Sequence, residues 1–209
     1  IFNKYINKNK ITCFMPIITL PEIVDIIVMT VAIGYIFSKF FKRAPQEGYD
    51  PLTYYRKNPI LEDIKYGAMI AAPAVVFHEL AHKFTAMGFG ASATLYAPSF
   101  FGIPYGMYLL VIILIHLNFP ILFFVGGYVS HTALSPLASS MVAFSGPLLN
   151  LILWLIGMYL IKHSLVNRKY YPTIGVMAKL NMYFFIFNMI PLPGFDGFSV
   201  FAGLLQTFF

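Results

Sequence analysis

A His-Glu-Leu-Ala-His run occupies residues 78–82, in the least charged part of the chain. Between residues 66 and 161 only Glu79 and Lys83 carry a formal charge. On a helix, His78 and His82 are four residues apart, so both rings project from one face and can bind one metal ion. Glu79 lies next to that face, where its carboxylate can polarise a metal-bound water. The spacing is typical of a zinc hydrolase.

This run alone is a weak pattern, because it also occurs by chance on ordinary helices. Its apolar surroundings favour a functional interpretation, since ionisable side chains inside a membrane are costly and mostly functional. The competing interpretation is a structural cluster in which the histidines and the glutamate hydrogen-bond between helices.

A catalytic zinc site usually takes three protein ligands and leaves one position for water. Asp196 is the only acidic residue after Glu79, and it lies in a Pro-Leu-Pro-Gly-Phe-Asp-Gly segment where regular helix cannot continue. Asp196 is therefore either a third ligand or the cap of the helix that follows. Taken together with the histidine pair, the ligand role is favoured. His116 and His131 are the other candidates for third ligand.

The composition predicts a multi-pass integral membrane protein. Hydrophobic residues make up 59% of the 209 residues and charged residues 11%, against about 25% charged in a soluble domain. The length suffices for about five or six spans. The net charge of +6 favours contact with anionic lipid headgroups and not with nucleic acid. A single cysteine, Cys13, excludes an internal disulfide and a cysteine-based metal site.

We predict an all-α fold, a polytopic membrane helix bundle of about five to six helical segments with a re-entrant hairpin and a short strand-like element. An N-terminal anchor span and polar loop (1–65) precede a core (66–209) that carries the metal site. Asp25, near the start of the first span, is expected at the lipid headgroup level. The predicted spans cover residues 23–41, 65–87, 141–161 and 174–190, and a short apolar helix follows over 198–209.

Three further motifs follow the histidine run. They are Gly-Gly-Tyr-Val at 126–129, Ser-Gly-Pro-Leu-Leu-Asn at 145–150 and Asn-Met-Ile-Pro-Leu-Pro-Gly-Phe-Asp-Gly at 188–197. In this order the motifs resemble the site-2 protease family of intramembrane zinc metalloproteases, and the resemblance covers about residues 66–200.

That resemblance implies one zinc ion per chain, with His78, His82 and Asp196 as its ligands and Glu79 as general base. Asn188 matches the family's asparagine that helps to hold the substrate or the oxyanion. Residues 126–129 match the strand-like element against which the substrate is laid.

The topology of residues 96–125 follows from the proposed ligands. One ion can bind both His82 and Asp196 only if these residues lie at a similar depth near the same face of the membrane. This requires residues 96–125 to enter and leave on the same side, as a re-entrant hairpin that turns near Asn118 and Pro120. The positive-inside rule would place the basic loops at 42–65 and 162–169 in the cytoplasm. The family resemblance instead places the end of the second span that carries His78 and His82 in the cytoplasm, and we favour this orientation.

The sequence thus predicts an intramembrane zinc metalloendopeptidase in the cell membrane. Its partners would be the lipid bilayer and a transmembrane helix of another membrane protein, which it cleaves within the bilayer. A polar path for water to the zinc is expected along Thr85, Ser145 and Asn150. The alternative is a non-proteolytic membrane metal-binding protein or a metal transporter. A transporter would need further ligands on several spans, and only His116 and His131 remain to supply them.

Overall fold

A computed structural model describes residues 17–41, 59–119 and 126–209 of the chain. The described part is mostly helical, with one small sheet. Its elements, in chain order, are α1 (Leu20–Ser38), α2 (Pro59–Gly88), β1 (Ala93–Tyr96), α3 (Gly106–His116), β2 (Tyr128–His131), α4 (Pro136–Lys162), a 3-10 turn (Arg168–Tyr170), α5 (Tyr171–Asn188) and α6 (Asp196–Phe208).

Helix α1 begins with a capping box. The Thr19 hydroxyl accepts a hydrogen bond from the backbone N–H of Glu22, and the Glu22 carboxylate accepts one from the backbone N–H of Thr19. These two bonds satisfy donors that the first turn of a helix otherwise leaves unpaired. Helix α1 packs along α2 at close range, because a Cβ at Gly67 would lie 2.5 Å from the carbonyl oxygen of Gly34.

The sheet consists of β1 and β2, paired antiparallel with Ala93 opposite His131 and Tyr96 opposite Tyr128. Beyond the strands, the Thr132 N–H donates to the Ser92 carbonyl. The sequence predicted a strand-like element at 126–129, which the structure places at Tyr128–His131. Strand β1 was not predicted.

The pairing of β1 with β2 brings the two ends of the intervening segment side by side. Helix α3, inside that segment, has only 11 residues, about 16 Å of helix rise, which is short of a bilayer core. Asn118, just after α3, has a left-handed backbone with φ of 55°. The predicted turn at Pro120 lies outside the described residues, and the membrane placement of the hairpin stays a prediction.

Helix α4 packs against α2, α5 and α6, so it forms the centre of the C-terminal half. The Ser135 hydroxyl caps its first turn by accepting from the N–H of Ala138. Helices α5 and α6 are separated by a turn in which Gly194 has a φ of 96°. The predicted spans at 141–161 and 174–190 correspond to α4 and α5.

Within the described parts of the chain, two helices are long and apolar enough to cross a membrane: α1 and α4. This is a statement of length and composition. Helix α2 carries the polar histidine run and is less apolar for that reason. Multiple membrane crossings, which the sequence predicted, are therefore not shown by the helices themselves.

Candidate metal centre and cavity

The two histidines of the run lie on one face of α2, as their spacing predicted. Both side chains are buried. Their Nε2 atoms are 3.0 Å apart, and the two rings meet edge to face. The pair lies in the last third of α2, where the helix packs against α4.

Asp196, the first residue of α6, completes this group. Its Oδ2 atom lies 3.0 Å from Nε2 of His78 and 3.4 Å from Nε2 of His82. The N-cap of α6 is Phe195, and no side chain caps the helix through a hydrogen bond. The Asp196 carboxylate therefore faces the histidines, and of the two roles considered for it the structure favours the ligand role.

The outer nitrogen of each imidazole is held by an oxygen acceptor. Nδ1 of His78 lies 2.6 Å from Oδ1 of Asn150, and Nδ1 of His82 lies 2.7 Å from the carbonyl oxygen of Val142. The orientation of the Asn150 amide is settled by its nitrogen, which donates to the Ala74 carbonyl and to Oδ1 of Asn181. Each Nδ1 must therefore carry the proton and donate it, which leaves each Nε2 with a lone pair.

Two nitrogen lone pairs and a carboxylate oxygen thus converge on one point. Such an arrangement is unfavourable unless a proton on one of the imidazoles or a metal cation neutralises it. Ligands about 2.0–2.1 Å from a tetrahedral zinc ion lie about 3.3 Å from one another, close to the three separations of 3.0, 3.0 and 3.4 Å. His78, His82 and Asp196 therefore form a group that can hold a metal ion.

Helix α4 approaches the histidines at Gly146. A Cβ at this position would lie 2.7 Å from Nε2 of His78 and would also overlap the His82 ring. Only glycine leaves space for the two rings, so the Ser-Gly-Pro-Leu-Leu-Asn motif supplies both a close approach at Gly146 and a hydrogen-bond acceptor at Asn150.

A cavity of about 860 Å³ opens onto the metal group. The Glu79 side chain is buried at its wall beside the histidines. Asn188, at the end of α5, also lines it. Most of the remaining wall comes from the residues leading into and along β2, from apolar side chains of α2, α4 and α5, and from the turn before α6. These residues include Val75, Gly127, Val129, Val142, Phe184, Leu192 and Phe195. The hydroxyl-bearing residues Ser139 of α4 and Ser199 of α6 also line the cavity.

The other two candidate ligands, His116 and His131, do not join the metal group. His116 lies at the end of α3, where Nδ1 is 2.8 Å from the Ile112 carbonyl and Nε2 is 3.2 Å from the Tyr35 hydroxyl. His131, in β2, lines the cavity, and its Nδ1 is 2.9 Å from the Thr132 carbonyl. Among the described residues, the ligand group contains only His78, His82 and Asp196.

The three residues expected along a water path do not line the cavity. Of the described residues that line the cavity, none is Thr85, Ser145 or Asn150. Asn150 is fully buried behind His78, and the Ser145 hydroxyl donates to the Val142 carbonyl at 2.6 Å. Sequence reasoning thus singled out Asn150 as a polar residue near the site but did not predict its hydrogen bond with His78. An amide in the middle of an apolar helix was the signal of a buried hydrogen-bond partner.

A second buried cluster was missed. Lys83, directly after His82, forms an ion pair with Glu22 of α1, and both side chains are almost fully buried. Its signal was present in the sequence, since Lys83 is one of only two charged residues between positions 66 and 161.

Comparisons of the chain with protein-family models, with curated proteins and with solved structures find no match. The geometry of the site therefore carries the functional argument.

Proposed function

We propose that this protein is an intramembrane zinc metalloendopeptidase that cleaves transmembrane segments of other membrane proteins within the bilayer. The observation that carries the proposal is the convergence of two imidazole lone pairs and a carboxylate on one point, beside a buried glutamate and an open cavity. Zinc is the metal proposed, because a His-His-carboxylate set that leaves a position free is typical of catalytic zinc. The motifs that resemble the site-2 protease family agree with this assignment.

The residues around the site have separate tasks in peptide hydrolysis. A bound zinc ion supplies Lewis-acid chemistry, since it polarises the scissile carbonyl and acidifies water. The Glu79 carboxylate accepts a proton from the attacking water as the water oxygen bonds to the carbonyl carbon. The same carboxyl group then gives that proton to the nitrogen as the C–N bond breaks. The Asn188 amide faces the same cavity, where its N–H groups can donate to the developing oxyanion.

Strand β2 offers a place for the substrate backbone. In an antiparallel pair of strands, every second residue pair is hydrogen-bonded, and the bond between Thr132 and Ser92 shows which pairs these are. Val129 and His131 belong to the other pairs, so their N–H and C=O groups point away from β1. This second edge of β2 borders the cavity. An unwound substrate segment that pairs with it would satisfy its own freed N–H and C=O groups. Substrates whose helices are weakened by Gly, Pro or Asn should therefore be preferred.

The membrane part of the proposal rests on α1 and α4. The helix at the centre of a soluble protein is mostly buried, but only 28% of the most apolar stretch of each of these helices is buried within the protein. Their outer faces expose large apolar side chains such as Leu20, Val31 and Leu155. Lipid is the solvent that suits such faces, and we propose that the chain is a multi-pass protein of the cell membrane.

One experiment tests the proposal directly. Protein purified in detergent should contain about one zinc per chain, as expected for a single three-ligand site. It should also cleave a generic transmembrane substrate, and a chelator should stop the cleavage. If the protein binds zinc but cleaves nothing, and if Glu79→Gln leaves its zinc binding unchanged, the protein is a metal-binding protein without protease activity.

A further inference from the structure

The face of α2 adjacent to the metal ligands supports the sheet. Glu79 and Lys83 are four residues apart, so they share one face of the helix, as the two histidines share theirs. The residues leading into β2 rest against Glu79, because a Cβ at Gly127 would lie 3.1 Å from Cγ of Glu79. Strand β1 is held at the Lys83 end of the same face.

One carboxylate makes that attachment. Oε1 of Glu22 accepts from the Lys83 ammonium and, at 2.8 Å, from the backbone N–H of Leu95 in β1. Oε2 accepts from the backbone N–H and the hydroxyl of Thr19, at 2.7 and 3.0 Å. Glu22 thus joins α1, α2 and β1, and the side chains of both Glu22 and Lys83 are almost fully buried.

A second carboxylate of α1 holds the chain just beyond β1. Asp25 accepts from the backbone N–H of Ala97 at 3.3 Å and from the Tyr105 hydroxyl at 3.0 Å. Together Glu22 and Asp25 accept from one amide of β1 and from the amide of the residue that follows it, on the side that faces away from β2. The sheet is therefore fixed to α1 along that edge, and its other edge borders the cavity.

The position of β1 determines the position of the cavity edge. Leu95 is paired with Val129 in the ladder, and Val129 lines the cavity. A short path of contacts therefore runs from Lys83, next to the ligand His82, through Glu22 and Leu95 to Val129. This path links the helix that carries the metal group to the strand that lines the cavity.

We infer that Glu22 is a positioning residue. It holds the β1–β2 sheet at a set distance from the metal group, and so determines which peptide bond of a paired substrate reaches that group. This inference rests on the proposed function. Glu22 contacts neither the metal ligands nor the cavity, so it acts through the sheet and through Lys83.

Two double variants of the full chain separate this role from simple stabilisation. Glu22→Gln/Lys83→Met removes both charges but keeps an acceptor for the Leu95 N–H. Glu22→Leu/Lys83→Met removes the same charges and also the acceptor. The first should cleave a transmembrane substrate at the wild-type bond and near the wild-type rate. The second should keep its zinc, lose about tenfold in kcat/KM, the size of one charge-assisted hydrogen bond, and cut at additional bonds identified by mass spectrometry.

Two results would overturn the inference. One is the same rate and the same cleaved bond in both double variants. The other is loss of zinc together with activity in the leucine variant, which would show that the pair supports the metal helix itself. If the leucine variant does not fold, Glu22→Asp decides, because it keeps the charge but retracts the carboxylate by one methylene. Cleavage by Glu22→Asp only at the wild-type bond would then reject the positioning role.

A matched control and a measurement without substrate complete the design. Thr19→Val removes a partner of the other carboxylate oxygen without touching the sheet, and should leave the cleaved bond unchanged. Hydrogen exchange of the β1 amides should accelerate in the leucine variant and not in the glutamine variant. If the wild type cleaves nothing, the proposed function fails, and the exchange result still shows whether Glu22 holds the sheet.

Discussion

Two buried polar clusters lie side by side on α2 and differ in one respect. Around Glu22 and Lys83, the acceptors are matched by donors from the protein, including one full positive charge. Around His78, His82 and Asp196, two imidazole nitrogens and a carboxylate oxygen meet, and no lysine or arginine among the described residues pairs with Asp196. The charge of the first cluster is balanced by a lysine of the chain, whereas the second can be balanced by a proton on an imidazole or by a bound metal ion. Buried charge alone does not distinguish the two clusters; the excess of acceptors beside a cavity does.

The largest expected effect tests the catalytic half of this comparison. Glu79→Gln should lower cleavage by about a thousandfold or more, because the amide cannot accept the proton from water. The variant should keep its zinc, since Glu79 is not among the ligands. Cleavage of a transmembrane substrate and zinc content are measured on the same preparation. A near-normal rate would remove the general base from the mechanism.

Loss of a ligand should empty the metal cluster. His78→Ala, His82→Ala and Asp196→Ala should each reduce zinc from about one per chain to a small fraction, because two remaining ligands bind weakly. His116→Ala is the matched control and should retain its zinc, since His116 lies outside the group. Full zinc content in Asp196→Ala would transfer the third-ligand role to another residue.

Residues that hydrogen-bond to the ligands should affect zinc affinity less than the ligands themselves. Asn150→Ala removes the acceptor that fixes the His78 tautomer, and zinc affinity should fall about 10–100-fold. Asn181→Ala only loosens Asn150 and should have a smaller effect. Competition with a calibrated chelator measures both affinities. Equal affinity in Asn150→Ala and the wild type would mean that the ring is oriented by packing alone.

Changes in the Glu22–Lys83 cluster should alter the stability of the protein. Lys83→Met leaves the Glu22 carboxylate buried without its cation, which should cost about 3–5 kcal/mol of unfolding free energy. Adding Glu22→Gln should recover most of that loss, because no charge then remains buried. Lys65→Met breaks the exposed pair with Glu62 on the same helix and should change the thermal midpoint little. An additive loss in the double variant would contradict the pairing.

The smallest expected effect is that of a labelling experiment on membrane topology. Cysteines at Phe89 and Ser130, in a chain carrying Cys13→Ser, should react with an impermeant thiol reagent from the same side of the membrane. Phe89 is used because its neighbour Gly90 has a φ of 80°, which a cysteine would adopt only with strain. Labelling from opposite sides would show that the segment between them crosses the bilayer.

The sequence predicted the parts of this molecule whose signals are local. Helical spacing placed His78 and His82 on one face, and apolar runs located α1, α4 and α5 to within a few residues. Strand β1 could not be found, because Ala-Thr-Leu-Tyr has no strong strand pattern and pairs with residues 32 to 38 positions later in the chain. The hydrogen bonds of Asp25 to Ala97 and Tyr105 were not predicted, and its depth at the lipid headgroups stays a prediction. The partner of a buried charge depends on tertiary packing, and a single sequence does not contain it.

The ladder of β2 has a consequence for the products of cleavage. Successive residues of a strand turn opposite ways, so a paired peptide that slips by one residue presents its other face to the metal, whereas a slip of two restores the original face. Secondary scissions should therefore occur an even number of residues from the main one. The spacing between cleaved bonds would then be a multiple of two residues, set by hydrogen-bond alternation and not by the identity of any side chain in the substrate.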